Sequence, residues 1–344
     1  PVYLNGNKTE QVTIPNEYIN KKEDFRTAWL STVANIDIKD VTSNPNLSAE
    51  ESFKQQLTSI LDKFQELNFN AVTFQVSPML DAWYPSEIAP WSQYLHNGGS
   101  SYTYQGKDPG FNGFDPLAWL ISETHKRGME FHAWFNPYRV TNAVDTRPVD
   151  VKLNELAENN FARNNPDLVY EFQNKLFLDP GEPKVIEYAV ARVTEVATKY
   201  DIDAIHFDDY FYPNLGSKYK TAFDNIEYNA YVSKTIDSGK KPNTIDVWRR
   251  NNVNTLVKKV YAAIKDIDSS VQFGISPAGN PVNLYLTQGN YVDVKTWMAS
   301  DKYIDYICPQ LYWSFENTYT DKNTGFSAAY DKALDYWLSL RTSS

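Results

Sequence analysis

Short apolar runs alternate along most of the chain with longer stretches in which apolar positions recur every three or four residues. The runs read as strands at 25–32 (FRTAWLST), 71–77 (AVTFQVS), 130–136 (EFHAWFN), 204–208 (AIHFD), 271–276 (VQFGIS) and 306–312 (YICPQLY). Between them, 48–67, 116–127, 183–200, 246–264 and 293–299 carry the helical period. Several boundaries have their own chemistry. Ser48 with Glu51 makes a capping-box pattern, Asp115-Pro116 and Glu182-Pro183 place proline in a first helical turn, and Gly128 closes the second helix.

Such alternation predicts a parallel α/β sheet with crossover helices. With no second core pattern and no Ser/Gly linker, residues 25–344 read as a single domain of (β/α)8 TIM-barrel type. Residues 1–24 are polar and unpatterned and read as an extended lead-in. Only six strand–helix units are found, and 327–340 reads as one more helix. The barrel is therefore expected to be incomplete at its C-terminal end, through a shortened chain or through two strands the pattern conceals. No Gly-x-Gly-x-x-Gly or Gly-Lys-Ser/Thr motif follows a strand, so nucleotide binding lacks its signature.

Strand parity then points to a site. In a barrel sheathed by helices both faces of a strand are usually apolar, so polar residues at alternate positions near strand C-termini mark the functional mouth. Gln75 and Ser77, His132, Trp134 and Asn136, His206 and Asp208, Gly274 and Ser276, and Cys308, Gln310 and Tyr312 all follow this rule. Their neighbours Phe74, Val76, Ala133, Phe135, Ile205, Phe207, Phe273 and Ile275 suit the helix-facing side.

Composition narrows what the mouth holds. The 344 residues include 9 Trp, 24 Tyr and 18 Phe, and many of these rings sit beside Pro, Asn and Gly rather than in apolar runs. Sugar rings pack C–H faces on such platforms while their hydroxyls seek Asp, Asn, Gln and Tyr, so an oligo- or polysaccharide is the expected substrate. A net charge of −10 without a basic cluster disfavours nucleic acid. No apolar run reaches the roughly 18 residues of a membrane span, and no retained secretory leader is visible. The single cysteine, Cys308, excludes an internal disulfide and a cysteine zinc site.

Asp208 and Asp209 are the candidate catalytic acids. Two close carboxylates repel when both are ionised, which raises one pKa and sets a proton donor beside a charged partner. That pairing suits glycoside hydrolysis, by a retaining route or with the substrate's own acetamido group as nucleophile. Asp209 could instead pair with Arg139 or cap a helix. Asp81 is the candidate for an opposing carboxyl, and could equally hold a sugar hydroxyl or Arg139. Around the acids, Trp83, Tyr84, His132, Trp134, Asn136, Tyr138, Arg139, His206, Tyr210, Tyr212, Ser276, Gln310, Tyr312 and Trp313 are the candidate substrate-binding residues. A metal-dependent hydrolase would recruit His132, His206 and Asp208, but no His-x-His or His-Glu-x-x-His pair supports it, and neither a metal nor a cofactor is expected.

The segments 81–92 (DAWYPSEIAPWS), 131–139 (FHAWFNPYR), 178–181 (LDPG), 205–213 (IHFDDYFYP) and 307–313 (ICPQLYW) resemble the glycosyl hydrolase-like family ten of bacterial envelope proteins. The resemblance implies a (β/α)8-type barrel, an extracellular or cell-envelope location, and hydrolysis of cell-wall or exopolysaccharide glycan rich in N-acetylated amino sugars. It also implies Asp208 and Asp209 as the site acids, with Asn136, Tyr138, Arg139, Tyr210 and Gln310 around the sugar. A non-catalytic carbohydrate-binding protein on a degenerate barrel is the alternative.

Overall fold

A computed structural model describes residues 24–99, 101–285 and 289–341. In chain order its principal elements are β1 (Thr27–Leu30), α1 (Ala49–Glu66), β2 (Ala71–Ser77), α2 (Pro116–Lys126), β3 (Glu130–Phe135), α3 (Val149–Glu155), α4 (Phe161–Asn164), β4 (Val169–Phe172), β5 (Lys175–Leu178) and α5 (Pro183–Lys199). There follow β6 (Ala204–Phe207), α6 (Asn225–Asp237), α7 (Ile245–Ile267), β7 (Gln272–Ile275), α8 (Pro281–Tyr285), α9 (Val294–Met298), β8 (Tyr306–Ile307) and α10 (Tyr330–Ser339). Except for Asp24, the lead-in expected over 1–24 lies outside the described residues.

Six strands form one parallel sheet in the order β1-β2-β3-β6-β7-β8, and they are the six the sequence predicts. The sheet curls. Phe25, just before β1, has its ring 6.0 Å from that of Tyr306 on β8, whereas a flat sheet would set these first and last strands about 24 Å apart at about 4.8 Å per strand. The result is an α/β half-barrel with its outer face covered by helices. Phe74, Val76, Ala133, Phe135, Ile205, Phe207, Phe273 and Ile275 are all buried, in one core with helix residues such as Leu57, Leu120, Val193 and Val257.

The interior is stacked in layers of side chains. Deepest are His132 and Tyr306, with the Phe25 ring 5.1 Å from that of His132. The Tyr306 hydroxyl lies 2.9 Å from Nδ1 of both His132 and His206. A Cβ on Gly274 would stand 1.9 Å from the Tyr306 ring, which explains why strand β7 carries glycine there. Above this layer Trp29 packs against Trp134 and His206, each at 4.8 Å between ring centroids.

Three features depart from the sequence reading. The register of β2 on β3 shifts between Gln75 and Ser77, so Ser77 pairs with Phe135 and turns to the helix side. There it meets Arg192 of α5. The last strand is shorter than 306–312 because Pro277 and Pro309 interrupt a regular ladder, although Gln310 N still donates to Pro277 O at 3.0 Å. Finally, the antiparallel hairpin β4–β5 is inserted after β3. Its turn residues Gln173 and Asn174 both have positive φ, 51° and 60°, without the glycine that normally signals such a turn.

Helix α1 begins on the expected capping box, with Glu51 N donating to Ser48 Oγ at 3.2 Å and Ser48 N donating to Glu51 Oε2 at 2.8 Å. A Ser48→Ala variant is expected to lose about 0.5–2 kcal/mol. Urea denaturation checks this, and an unchanged midpoint would remove the cap from the account.

Candidate active site

The site is assembled where strands β2, β3, β6, β7 and β8 end. Each contributes one polar side chain that the pleat directs inward: Gln75, Asn136, Asp208, Ser276 and Gln310. Gln75 Nε2 donates to Asn136 Oδ1 at 2.7 Å. Gln310 Nε2 donates to both Asp208 Oδ1 and the Ser276 carbonyl, each at 3.0 Å. The Ser276 hydroxyl in turn donates to Cys308 O at 2.6 Å, tying β7 to the segment that carries Gln310.

The chain leaves β6 at the acid pair. Asp209 N donates to Asp208 Oδ1 at 2.8 Å, so Asp208, 6% exposed, receives two N–H donors on one oxygen. Asp209 turns back so that its carboxyl group lies close enough to that of Asp208 for each to act on the other. Burial pushes the Asp209 carboxyl up to about 7, helped by the Asp208 charge and their mutual hydrogen bond and opposed by Arg139. The Arg139 guanidinium lies 4.2 Å over the Tyr210 ring, and Tyr210 is half-exposed. Tyr312 is 81% exposed and feels both acid charges, so it stands over the same opening.

Asn136, Arg139, Asp208, Asp209, Tyr210, Ser276, Gln310 and Tyr312 are thus brought together. Other candidates are placed elsewhere. His132 lies four residues, about 13 Å of strand, below Asn136, and His206 and Trp134 lie one layer below the acids. Asp81 is fully enclosed, with Met79 N donating to its Oδ1 at 2.9 Å and burial raising its pKa. Trp83 packs on the helix-facing Phe74, and the Tyr84 hydroxyl donates to Glu195 of α5 at 3.2 Å. Tyr138 and Tyr212 are also buried, and Trp313 packs beside Phe326 near α10. Their aromatic-plus-polar loop sequences suited a cleft, but the rings of Trp83, Tyr84, Tyr138 and Tyr212 supply core instead.

Parity drew attention to Gln75 without assigning it a site role, and Asp179 in the LDPG segment was passed over. Asp179 is 6% exposed and accepts from Gly181 N at 2.7 Å. Burial raises its pKa to about 7, with Asp224, Glu227 and Glu182 adding to the shift. Its folded pKa thus exceeds the unfolded value of about 3.9, so the stability it confers is full below that value and is lost as pH rises toward 7. Asp179→Asn keeps the acceptor for Gly181 and is expected to raise Tm at pH 8. The gain should vanish near pH 4, and a Tm difference independent of pH would contradict the assignment.

The two buried imidazoles direct Nδ1 to Tyr306 rather than to a common ligand position. Among the described residues no group of three or more His, Cys, Asp or Glu is arranged to hold a metal ion. No helix of the described residues is long and apolar enough to cross a membrane.

The model of the family described as glycosyl hydrolase-like 10 matches residues 24–337. Glycosyl hydrolase YngK of Bacillus subtilis (strain 168) is 41% identical over 333 residues, covering 91% of this chain and 57% of that protein. Glycosyl hydrolase DigH of Escherichia coli (strain K12) is 35% identical over 337 residues, covering 92% of this chain and 70% of that protein. Among solved structures, the PgaB (BpsB) glycoside hydrolase domain from Bordetella bronchiseptica matches with a TM-score of 0.44 and 12% identity, over 83% of this chain and 74% of that one. The chain spans little more than half the length of the Bacillus relative. With the family match running from the start of the curled sheet to its last helix, the chain belongs to the glycosyl hydrolase-like 10 family.

Proposed function

We propose that the chain is a glycoside hydrolase of the bacterial cell envelope or exterior, acting on cell-wall or exopolysaccharide glycan that contains N-acetylated amino sugars. Asp209 is the proton donor and Asp208 orients the substrate. The observation that carries this reading is the adjacent pair of carboxyl groups at the end of β6, one of them raised to about 7. A donor of that pKa holds its proton near neutrality and can release it to a departing glycosidic oxygen. Membership of a glycosyl hydrolase-like family supports the reaction class.

The spacing of the acids supports one route over the others. Carboxyl groups that flank a scissile bond stand about 5–5.5 Å apart in retaining enzymes and about 6.5–9.5 Å apart in inverting ones. Adjacent acids at the end of one strand stand side by side rather than on opposite sides of a scissile bond, and Asp81, the one opposing candidate, is enclosed. In the proposed route the acetamido carbonyl oxygen of the substrate attacks the anomeric carbon as the bond to the leaving oxygen breaks. Asp209 gives that oxygen its proton, and Asp208 accepts from the acetamido N–H. Water then opens the resulting ring at the anomeric carbon, and its proton returns to Asp209. Arg139, Tyr210 and Gln310 bind around the sugar, with the buried Asn136 beneath them.

The open sheet, six strands among the described residues, favours a second reading as a non-catalytic glycan-binding protein. Mass spectrometry of products released from intact and denuded peptidoglycan, poly-N-acetylglucosamine and neutral glucans separates the two. Oligosaccharides released by the parent and not by the Asp208→Asn/Asp209→Asn double variant are expected. Saturable glycan binding with no release by either protein would sink the hydrolase.

A further inference from the structure

We infer that Gln75 is a positioning residue that locks the Asn136 side chain with its N–H edge, rather than its carbonyl, toward the Asp208–Asp209 pair. Four donors converge on Gln75 Oε1: Thr32 N and Val33 N, each at 2.9 Å, the Ser31 hydroxyl at 3.1 Å and the Thr32 hydroxyl at 3.5 Å. Backbone N–H groups can only donate, so the atom facing them must be the amide oxygen. The amide nitrogen of Gln75 is thereby aimed the other way. It donates to Asn136 at 2.7 Å, and the Asn136 atom that receives it must be Oδ1. A choice that an isolated amide leaves open is thus decided at Asn136 by the main chain after β1.

The consequence falls on the acids. Asn136 is fully buried, and its Nδ2 has no hydrogen-bond partner. With Oδ1 engaged on the β2 side, Nδ2 is the edge of the amide left over, and the strand on the other side of Asn136 is β6. Phe135 pairs with Phe207, so the residue that follows on that neighbour is Asp208, one strand spacing away. An unpaired buried donor is a cost that structures retain chiefly where it serves a site. In the inferred orientation it sets a positive edge on the side of the two carboxyl groups. The other charged and titratable groups facing the pair are Arg139 beyond β3, Tyr210 next in the chain, Tyr312 beyond β8, and His206 one layer below. Of the groups around the pair, the Asn136 edge is the one whose polarity Gln75 sets.

Gln75→Glu tests this directly. An ionised glutamate, held so by the Thr32 and Val33 N–H groups, has no proton to give, so Asn136 must flip and present Oδ1 to the acids. The readout is the titration midpoint of Asp209, followed by carboxyl-carbon NMR of the whole chain labelled at aspartate, without substrate. Gln75→Glu is expected to raise the midpoint by about one pH unit, and the same change in an Asn136→Ala background by less than half as much. Equal shifts in the two backgrounds would mean that the new charge acts directly, and would overturn the proposal, as would no shift at all. If Gln75→Glu does not fold, Asn136→Ala alone decides: loss of the N–H edge raises the midpoint, and an unchanged midpoint overturns the inference. The catalytic consequence rests on the proposed function, and its expected form is a lower kcat at little changed KM. Because the midpoint is read without turnover, a silent parent enzyme would count against the hydrolase and leave the positioning result standing on its own.

Discussion

Asp209→Asn is expected to lower kcat by about 10²–10⁴-fold, the usual contribution of a positioned general acid. Glycan binding should stay close to the parent. The substitution keeps the shape of the side chain but removes the acidic proton of Asp209. In the parent, turnover should fall as pH rises through about 7, because the donor form of Asp209 is lost there. In the variant that limb should disappear. Stability moves the same way. The folded pKa of Asp209 is raised, so the parent is most stable relative to the variant at low pH and loses that advantage as pH climbs toward 7. A variant with undiminished kcat and an unchanged alkaline limb would show that another group protonates the leaving oxygen.

The largest effect on stability is expected at Asp224 and Arg249. Arg249 of α7 grips Asp224 with two bonds, Nε to Oδ2 at 2.7 Å and Nη2 to Oδ1 at 2.6 Å. Its third nitrogen donates to the Tyr291 hydroxyl at 2.7 Å. Both charged side chains have 0% exposure. Asp224→Ala leaves the guanidinium buried without its counter-charge and is expected to cost about 3–5 kcal/mol, a fall in Tm of roughly 4–7 °C for a chain of this size. Tyr212, on the segment leaving the acid pair, packs against both Phe223 and Tyr291, so the ion pair also anchors the loop that carries the acids. Scanning calorimetry checks the size of the loss. A loss below about 1 kcal/mol, the range of exposed pairs, would mean that water reaches the guanidinium.

The parallel sheet could be read from the sequence because its strands are buried on both faces and are punctuated by strongly capped helices. All seven residues of β2 are buried, and Ser48 and Asp115 each cap the helix they were expected to begin. Side-chain parity carried the reading on to Asn136, Asp208, Ser276 and Gln310, because it depends only on the two-residue repeat of a strand. It failed at Ser77, where one register shift reverses every direction that follows. The hairpin was concealed by a turn built on Gln173-Asn174, and α6 by the absence of any fully buried residue along it.

Loop aromatics were the least readable feature. Trp83, Tyr84 and Tyr212 sit among Pro, Asp and Asn just as sugar-binding rings do, yet each is almost wholly enclosed. Composition cannot distinguish a ring that faces a ligand from one that fills the space beneath a loop. The polar groups that hold the site together had a better signal. Gln75 shares its parity with the residues of the mouth, and Arg192 falls on the apolar stripe of α5 with Val185, Ala189 and Val196, where a charge must find buried partners. It finds them in Ser77 and the Met79 carbonyl, under the loop that follows β2.

The most direct test of the central claim is the stereochemistry of cleavage, followed by proton NMR of the first product formed from an oligosaccharide of N-acetylated amino sugars. Two adjacent acids, with the substrate's acetamido group supplying the nucleophile, predict that the new reducing end appears with the anomeric configuration of the bond that was broken. An initial product of inverted configuration would require a carboxylate-activated water on the opposite face of the sugar, and would contradict the roles assigned to Asp208 and Asp209.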